Sequence, residues 1–265
     1  MGLGRRRIGI LAGAGVMAVG IAALVVAGVG VFSGTPAAPS THQVAVVTTT
    51  TTTTTAPPGP PGPPASTLVA TTDGAIPGYA SPESATPSMT VPGSWFGYPS
   101  ELPVITSEPG WLYVRLAQRP NGSTIWVRQS DVTLSSTPYA IVVNLTTMHL
   151  QVFENGAQIF DFPAGIGAPD DPTPPGQYFM PMQYPPPGPG YGPFVLVTSD
   201  HSDTIADWEN TGDAVIGIHG PITSYDDSLI GTTGAAISHG CIRLHDADLA
   251  QLSIIPPGTP IDIVS

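Results

Sequence analysis

The sequence has no lysine and a single cysteine. Charged residues make up only 10% of its 265 positions, and all seven basic residues are arginine. Three of them, Arg5, Arg6 and Arg7, precede the first apolar run, so the rest of the chain carries four positive charges against nineteen negative. A surface of that sign repels phosphate backbones and anionic headgroups, which argues against nucleic acid as a partner. The lone cysteine excludes an internal disulfide framework but leaves the redox compartment open. Glycine and proline are not scarce: the chain has 31 and 32 of them. Much of that excess falls in residues 33–93, so the folded part is shorter than the chain.

Residues 8–32 carry no charge. As a helix rising about 1.5 Å per residue they span about 37 Å, enough to cross a hydrocarbon core of about 30 Å with some tilt. A signal peptide would have a shorter apolar region, and the prolines after Ser33 make a poor cleavage site. The expectation is an uncleaved anchor in the lipid bilayer through residues 8–32. The arginines then hold the N-terminus in the cytoplasm, with residues 33–265 outside in the cell envelope. Secretion after signal cleavage is the alternative. Residues 33–93 show no periodicity, contain an unbroken threonine run at 48–55, and read as an extended, disordered Thr/Pro/Gly-rich tether.

Residues 94–136 predict a small β module. Trp111-Leu112-Tyr113-Val114 and Ile125-Trp126-Val127 alternate as strands do, and Asn121-Gly122 is a hairpin signal between them. Three short strands in about forty residues resemble a bacterial SH3-like barrel. The module could bind a ligand or pack on the next domain, with Trp111 and Trp126 as its core. Residues 137–265 read as mainly β, with strands around Ile141, Leu150, Phe179, Val195, Ile216 and Ile261. Asn155-Gly156 marks a tight hairpin, and one short helix follows Asp246.

The chemistry concentrates late in the chain. His219-Gly220 is followed downstream by Ser238-His239-Gly240-Cys241-Ile242-Arg243-Leu244. A thiol becomes nucleophilic as its thiolate, and an imidazole can supply the base. Gly240 lets a substrate carbonyl approach backbone N–H groups that could hold an oxyanion. Two other readings compete. Cys241 could be a small buried hydrophobe, although Ser-His-Gly is a polar setting. His219, His239, Cys241 and His245 could hold zinc, although His-x-Cys is not a usual ligand pair and no second cysteine exists.

This pattern resembles the signature of bacterial L,D-transpeptidases of the YkuD type. The Glu154-Asn155-Gly156 hairpin, Thr173-Pro174-Pro175-Gly176 and Pro257-Gly258-Thr259-Pro260 agree with it. The resemblance implies a β-sandwich-like catalytic domain over residues 137–265 that uses no cofactor and no metal. It implies that Cys241 attacks a peptidoglycan tetrapeptide stem, expels the terminal D-alanine, and passes the acyl group to the amine of a neighbouring stem, giving a 3→3 cross-link. On that likeness His219 is the general base, with His239 as a secondary candidate, and the Gly220 carbonyl orients His219. Gly240 supplies an oxyanion N–H, and Ser238 and Arg243 bind substrate, Arg243 taking a carboxylate or shaping the loop. The family is typically acylated by carbapenems. A carboxypeptidase on the same donor, or an inactive wall-binding protein, would share much of this pattern. Tyr191 and Trp208 fall where a cover over the cleft would lie.

Overall fold

The computed structural model describes residues 62–265. The apolar run at residues 8–32 and most of the threonine and proline tract lie outside the described residues. Among the described residues no helix is long and apolar enough to cross a membrane. Strands dominate. The two α-helices among the described residues, Ser224–Leu229 and Asp246–Gln251, have six residues each. The second is the helix expected beside the site; the first lies in the connection between His219 and Ser238, where no helix was expected.

Two sheets in the C-terminal domain share one apolar core. The first runs Ala157–Pro163, His149–Glu154, Tyr139–Asn144, Thr259–Val264, Gly176–Met180 in spatial order. The second runs Met182–Tyr184, Val195–His201, Val215–His219, Ile242–Arg243. Alternation dictates the packing: Ile141, Val143, Leu150, Val152, Ile261 and Ile263 face the core from the first sheet. Leu196, Ile216, Ile218 and Ile242 meet them from the second. Asn155 and Gly156 take φ of +51° and +78°, the left-handed pair that a two-residue hairpin needs, and Glu154 pairs with Ala157.

The N-terminal module differs from its expected outline. Its five-stranded antiparallel sheet runs Thr124–Arg128, Trp111–Arg115, Glu101–Glu108, Thr67–Thr71, Thr133–Thr137. Thr67–Thr71 lies in the stretch read as tether. It pairs on both sides and buries Val69 and Ala70, so folded structure begins well before residue 94. The aromatic face is also reversed. Leu112, Val114, Ile125 and Val127 are the buried residues, whereas Trp111 and Trp126 are half-buried on the other face. There Trp111 meets Tyr79 edge-on at 5.0 Å, and the Arg128 guanidinium lies 5.0 Å from the Trp111 ring.

Two features join the module to the C-terminal domain. Along Gly176–Met180, Tyr178 and Met180 face the main core while Phe179 enters the module's core. Asn121, expected in an open hairpin, instead docks on the C-terminal domain. Its Nδ2 donates to Asp200 Oδ1 at 3.0 Å and to the His201 carbonyl at 2.7 Å, and its Oδ1 accepts from the His201 N–H at 2.9 Å. His201, read from the sequence as part of a solvated acidic loop, is therefore buried, with Asp213 2.8 Å from its Nδ1. Asn121→Ala leaves those groups unpaired and is expected to cost about 1–3 kcal/mol. Urea unfolding of the variant against wild type measures it.

Candidate active site

The strands Val215–His219 and Ile242–Arg243 pair in parallel, which sets Ile218 beside Ile242 and His219 beside Arg243. Cys241 immediately precedes the second strand. Its sulfur accepts a hydrogen bond from the Gly217 N–H at 3.4 Å, on the strand that ends in His219. The strand pairing and this hydrogen bond place Cys241 against the strand that ends in His219, although the two residues are far apart in sequence.

His219 is fully buried. Its Nδ1 lies 2.7 Å from the Gly220 carbonyl. A carbonyl oxygen only accepts, so Nδ1 carries the proton and Nε2 presents a lone pair. Nε2 has no hydrogen-bond partner among the described residues. Burial, then the positive charge of Arg243, lower the imidazole pKa to about 3 against the pull of the Gly220 carbonyl. The ring is neutral at physiological pH, the form a proton acceptor needs.

Tyr191 completes this centre. Its ring lies 4.8 Å from that of His219. Burial, and then the negative charges of a Cys241 thiolate and Glu209, push its hydroxyl up to about 12 against the opposing effect of Arg243. The phenol therefore keeps its proton and is a donor in the surroundings of the sulfur. A buried thiol, a neutral imidazole of defined tautomer and, from a neighbouring loop, a protonated phenol are suited to acyl transfer.

Residues 138–263 match the YkuD family, the L,D-transpeptidase catalytic domain.

Similar proteins include the YkuD proteins of Bacillus licheniformis, 33% identical over 127 residues, and of Bacillus subtilis, 32% identical over 127 residues. Each alignment covers 48% of this chain, which spans 66% of the length of those relatives. Among solved structures, an L,D-transpeptidase from Mycobacterium smegmatis is similar at 18% identity and a TM-score of 0.38, covering 62% of this chain and 82% of its own. An LD-transpeptidase solved with imipenem is similar at 17% identity and a TM-score of 0.38, covering 74% and 82%.

Other residues of this domain sit differently from their expected roles. The Gly240 N–H, expected to face an oxyanion, donates to Ser238 Oγ at 3.2 Å. Ser238 is itself buried, and its hydroxyl donates to the Cys241 carbonyl at 2.5 Å. Ser238 thus closes the loop around Gly240 and has no surface to offer a substrate. Thr173 holds the same loop from the opposite side, its hydroxyl donating to the Gly240 carbonyl at 2.7 Å and accepting from the Gly167 N–H at 2.9 Å. Gly240 needs to be glycine: its φ is +112°, and a Cβ there would lie 2.6 Å from Ile216 Cδ1. Gly240→Ala is expected to destabilise by about 1–3 kcal/mol and to displace Cys241. Denaturant unfolding together with the acylation rate of the variant tests this.

Arg243 is fully buried and bonds Asp226, Nη1 to Oδ2 at 2.9 Å. Its contacts shape the loop, so the carboxylate it meets is internal. His239 is half-exposed against Trp208 at 5.6 Å between rings, with its Nε2 3.8 Å from Asp171. The two residues placed over the cleft from sequence, Tyr191 and Trp208, thus pack on one site histidine each. Beside Gly220 the surface opens into a cavity of about 430 Å³, lined among others by Ile222, Thr223, Asp227, His245 and Asp246. The pattern of sequence periods could not mark Tyr191 as part of the centre, because it sits in a Pro/Gly-rich loop. Its signal is only the aromatic between Gly190 and Gly192, both at positive φ.

Proposed function

We propose that the chain is a peptidoglycan L,D-transpeptidase that forms 3→3 cross-links through a thioester on Cys241. The observation that carries this reading is the neutral, Nδ1-protonated His219, with no partner on Nε2 among the described residues, at the end of the strand whose Gly217 N–H binds the Cys241 sulfur, within a domain that matches the YkuD family. In the first half-reaction Cys241 gives its proton to His219 Nε2, and the sulfur bonds the carbonyl carbon of the third residue of a donor tetrapeptide stem. The C–N bond to the terminal D-alanine breaks, and His219 returns the proton to the leaving amine. In the second, the side-chain amine of an acceptor stem attacks the thioester. Its proton passes through His219 to the departing sulfur, leaving an amide and the free thiol.

Oxyanion stabilisation falls to the Tyr191 hydroxyl and to the backbone at Cys241, with the Gly240 N–H joining only if it leaves Ser238. Cys241 has no exposed surface, so a substrate reaches the sulfur when the Tyr191 loop moves aside. Asp227 and Asp246 in the cavity beside Gly220 suit the acceptor's ammonium group, in keeping with the acidic surface of the whole chain. We further place residues 33–265 outside the cytoplasmic membrane, held by an anchor at residues 8–32, with the N-terminal module positioning the catalytic domain. Mass spectrometry of products from a tetrapeptide donor, with and without an amine acceptor, tests the function. Cross-linked dimer that depends on the acceptor supports it; release of D-alanine with only hydrolysed tripeptide makes the protein a carboxypeptidase.

A further inference from the structure

Arg243 is an unusual residue to bury completely. Of its guanidinium donors, only Nη1 is paired, to Asp226 Oδ2 at 2.9 Å and to the Pro221 carbonyl at 3.4 Å. Nε and Nη2 are buried with no partner among the described residues. A buried cation with most of its donors unpaired is costly, and an apolar side chain could fill the same volume. Its retention calls for a role that packing does not supply.

The two Nη1 contacts span the turn that follows the site histidine, Pro221 within it and Asp226 in the helix after it. Within that turn Ile222 has φ of +74°, a conformation that a β-branched side chain adopts only when its surroundings force it. Three sets of bonds hold it. The Gly220 N–H donates to the Tyr191 carbonyl and the Ile222 N–H to the Gly190 carbonyl, both at 2.8 Å. Arg243 grips Pro221 and Asp226. Asp226 is further fixed by Thr223, whose hydroxyl donates to Oδ2 at 2.9 Å while its oxygen accepts from the Asp226 N–H at 3.1 Å. Gly220 tolerates no drift here, since a Cβ on it would lie 2.5 Å from Asp246 Oδ1. The carbonyl that sets the His219 tautomer belongs to the first residue of this turn.

We propose that Arg243 and Asp226 are positioning residues for the base: their ion pair holds the strained turn after Gly220 so that the Gly220 carbonyl stays on His219 Nδ1 and Nε2 stays open as an acceptor. The inference rests on the reading of His219 as the base of Cys241. The positive charge of Arg243 is also felt at His219. That charge opposes protonation of the ring, so the pair acts on the imidazole through both geometry and field.

The test combines two readouts on full-length protein: the ¹⁵N shifts of the histidine rings, with His219 assigned by its loss in His219→Gln, and the rate of covalent modification by imipenem. Wild type is expected to show His219 as a single Nδ1–H tautomer. In Arg243→Met the tautomers mix and modification slows about 10- to 100-fold, the range that a small misplacement of a catalytic group produces. Arg243→Lys, which restores one contact to Asp226, recovers part of both signals. Asp226→Asn keeps an acceptor for Arg243 and gives a smaller change in the same direction, and it decides the matter should Arg243→Met fail to fold. A single Nδ1–H tautomer in these variants, with imipenem rates within twofold of wild type, overturns the proposal. The tautomer reading stands apart from the transpeptidase reading: a wild type that shows the single tautomer yet releases no D-alanine refutes the function and leaves the positioning role in place.

Discussion

Replacing His219 with Gln is expected to slow acylation of Cys241 by about 10²- to 10⁴-fold, the usual worth of a positioned base. The same substitution should make the protein more tolerant of acid. His219 is held neutral in the fold, its pKa lowered from 6.5 to about 3 by burial and then by Arg243. Between those two values the unfolded chain binds a proton that the native state refuses, so stability falls as pH drops through that window and is fully present above it. The loss attributable to His219 amounts to about 3 kcal/mol between pH 7 and pH 4. His201, also lowered by burial, adds a slope of the same sign, and Asp200, raised by burial, opposes it. His219→Gln removes the His219 share and leaves the other two in place. Urea unfolding at pH 7 and pH 4 should show a smaller drop in the variant, together with slow acylation at both. Equal drops would mean that the imidazole is not held neutral, and rapid acylation would mean that another base serves.

Replacing Cys241 with Ala should abolish covalent chemistry with little loss of fold. The sulfur sits in the main core and accepts a hydrogen bond from the Gly217 N–H, so Ala leaves a small space and costs about 1–2 kcal/mol. On the proposed function, release of D-alanine from a tetrapeptide should fall by at least about 10³-fold, since the proposed thioester needs the sulfur. A thermal melt separates this from unfolding. A variant that melts within a few degrees of wild type and releases nothing identifies the thiol as the reacting group. Residual release above about one tenth of wild type would place the chemistry elsewhere.

These two expectations depend on residues whose types were legible in the sequence and whose surroundings were not. The Ser-His-Gly-Cys run and the upstream His-Gly carry chemical identity in their letters, and the Asn155-Gly156 turn carries its geometry in its φ requirement. Nothing local marks Arg243 as buried: it follows an isoleucine on a two-residue strand, and its partner Asp226 comes from a six-residue helix that has no amphipathic period long enough to read. Ser238 looked available to a substrate because serine usually faces water, yet both its hydrogen bonds turn inward. Thr67–Thr71 was hidden by the Pro- and Thr-rich stretch around it, and five residues that pair on both edges reveal themselves only once their partner strands are placed. His201 is buried by Asn121, a residue far away in the chain. In each case a long-range contact overrides the local signal.

The most direct measurement is intact-mass analysis of the protein after exposure to imipenem, followed by peptide mapping. One covalent equivalent is expected on the peptide that holds Cys241, forming slowly in His219→Gln and absent in Cys241→Ala. An adduct on any other residue, or one that forms in His219→Gln as fast as in wild type, would contradict a nucleophilic Cys241 served by a neutral His219.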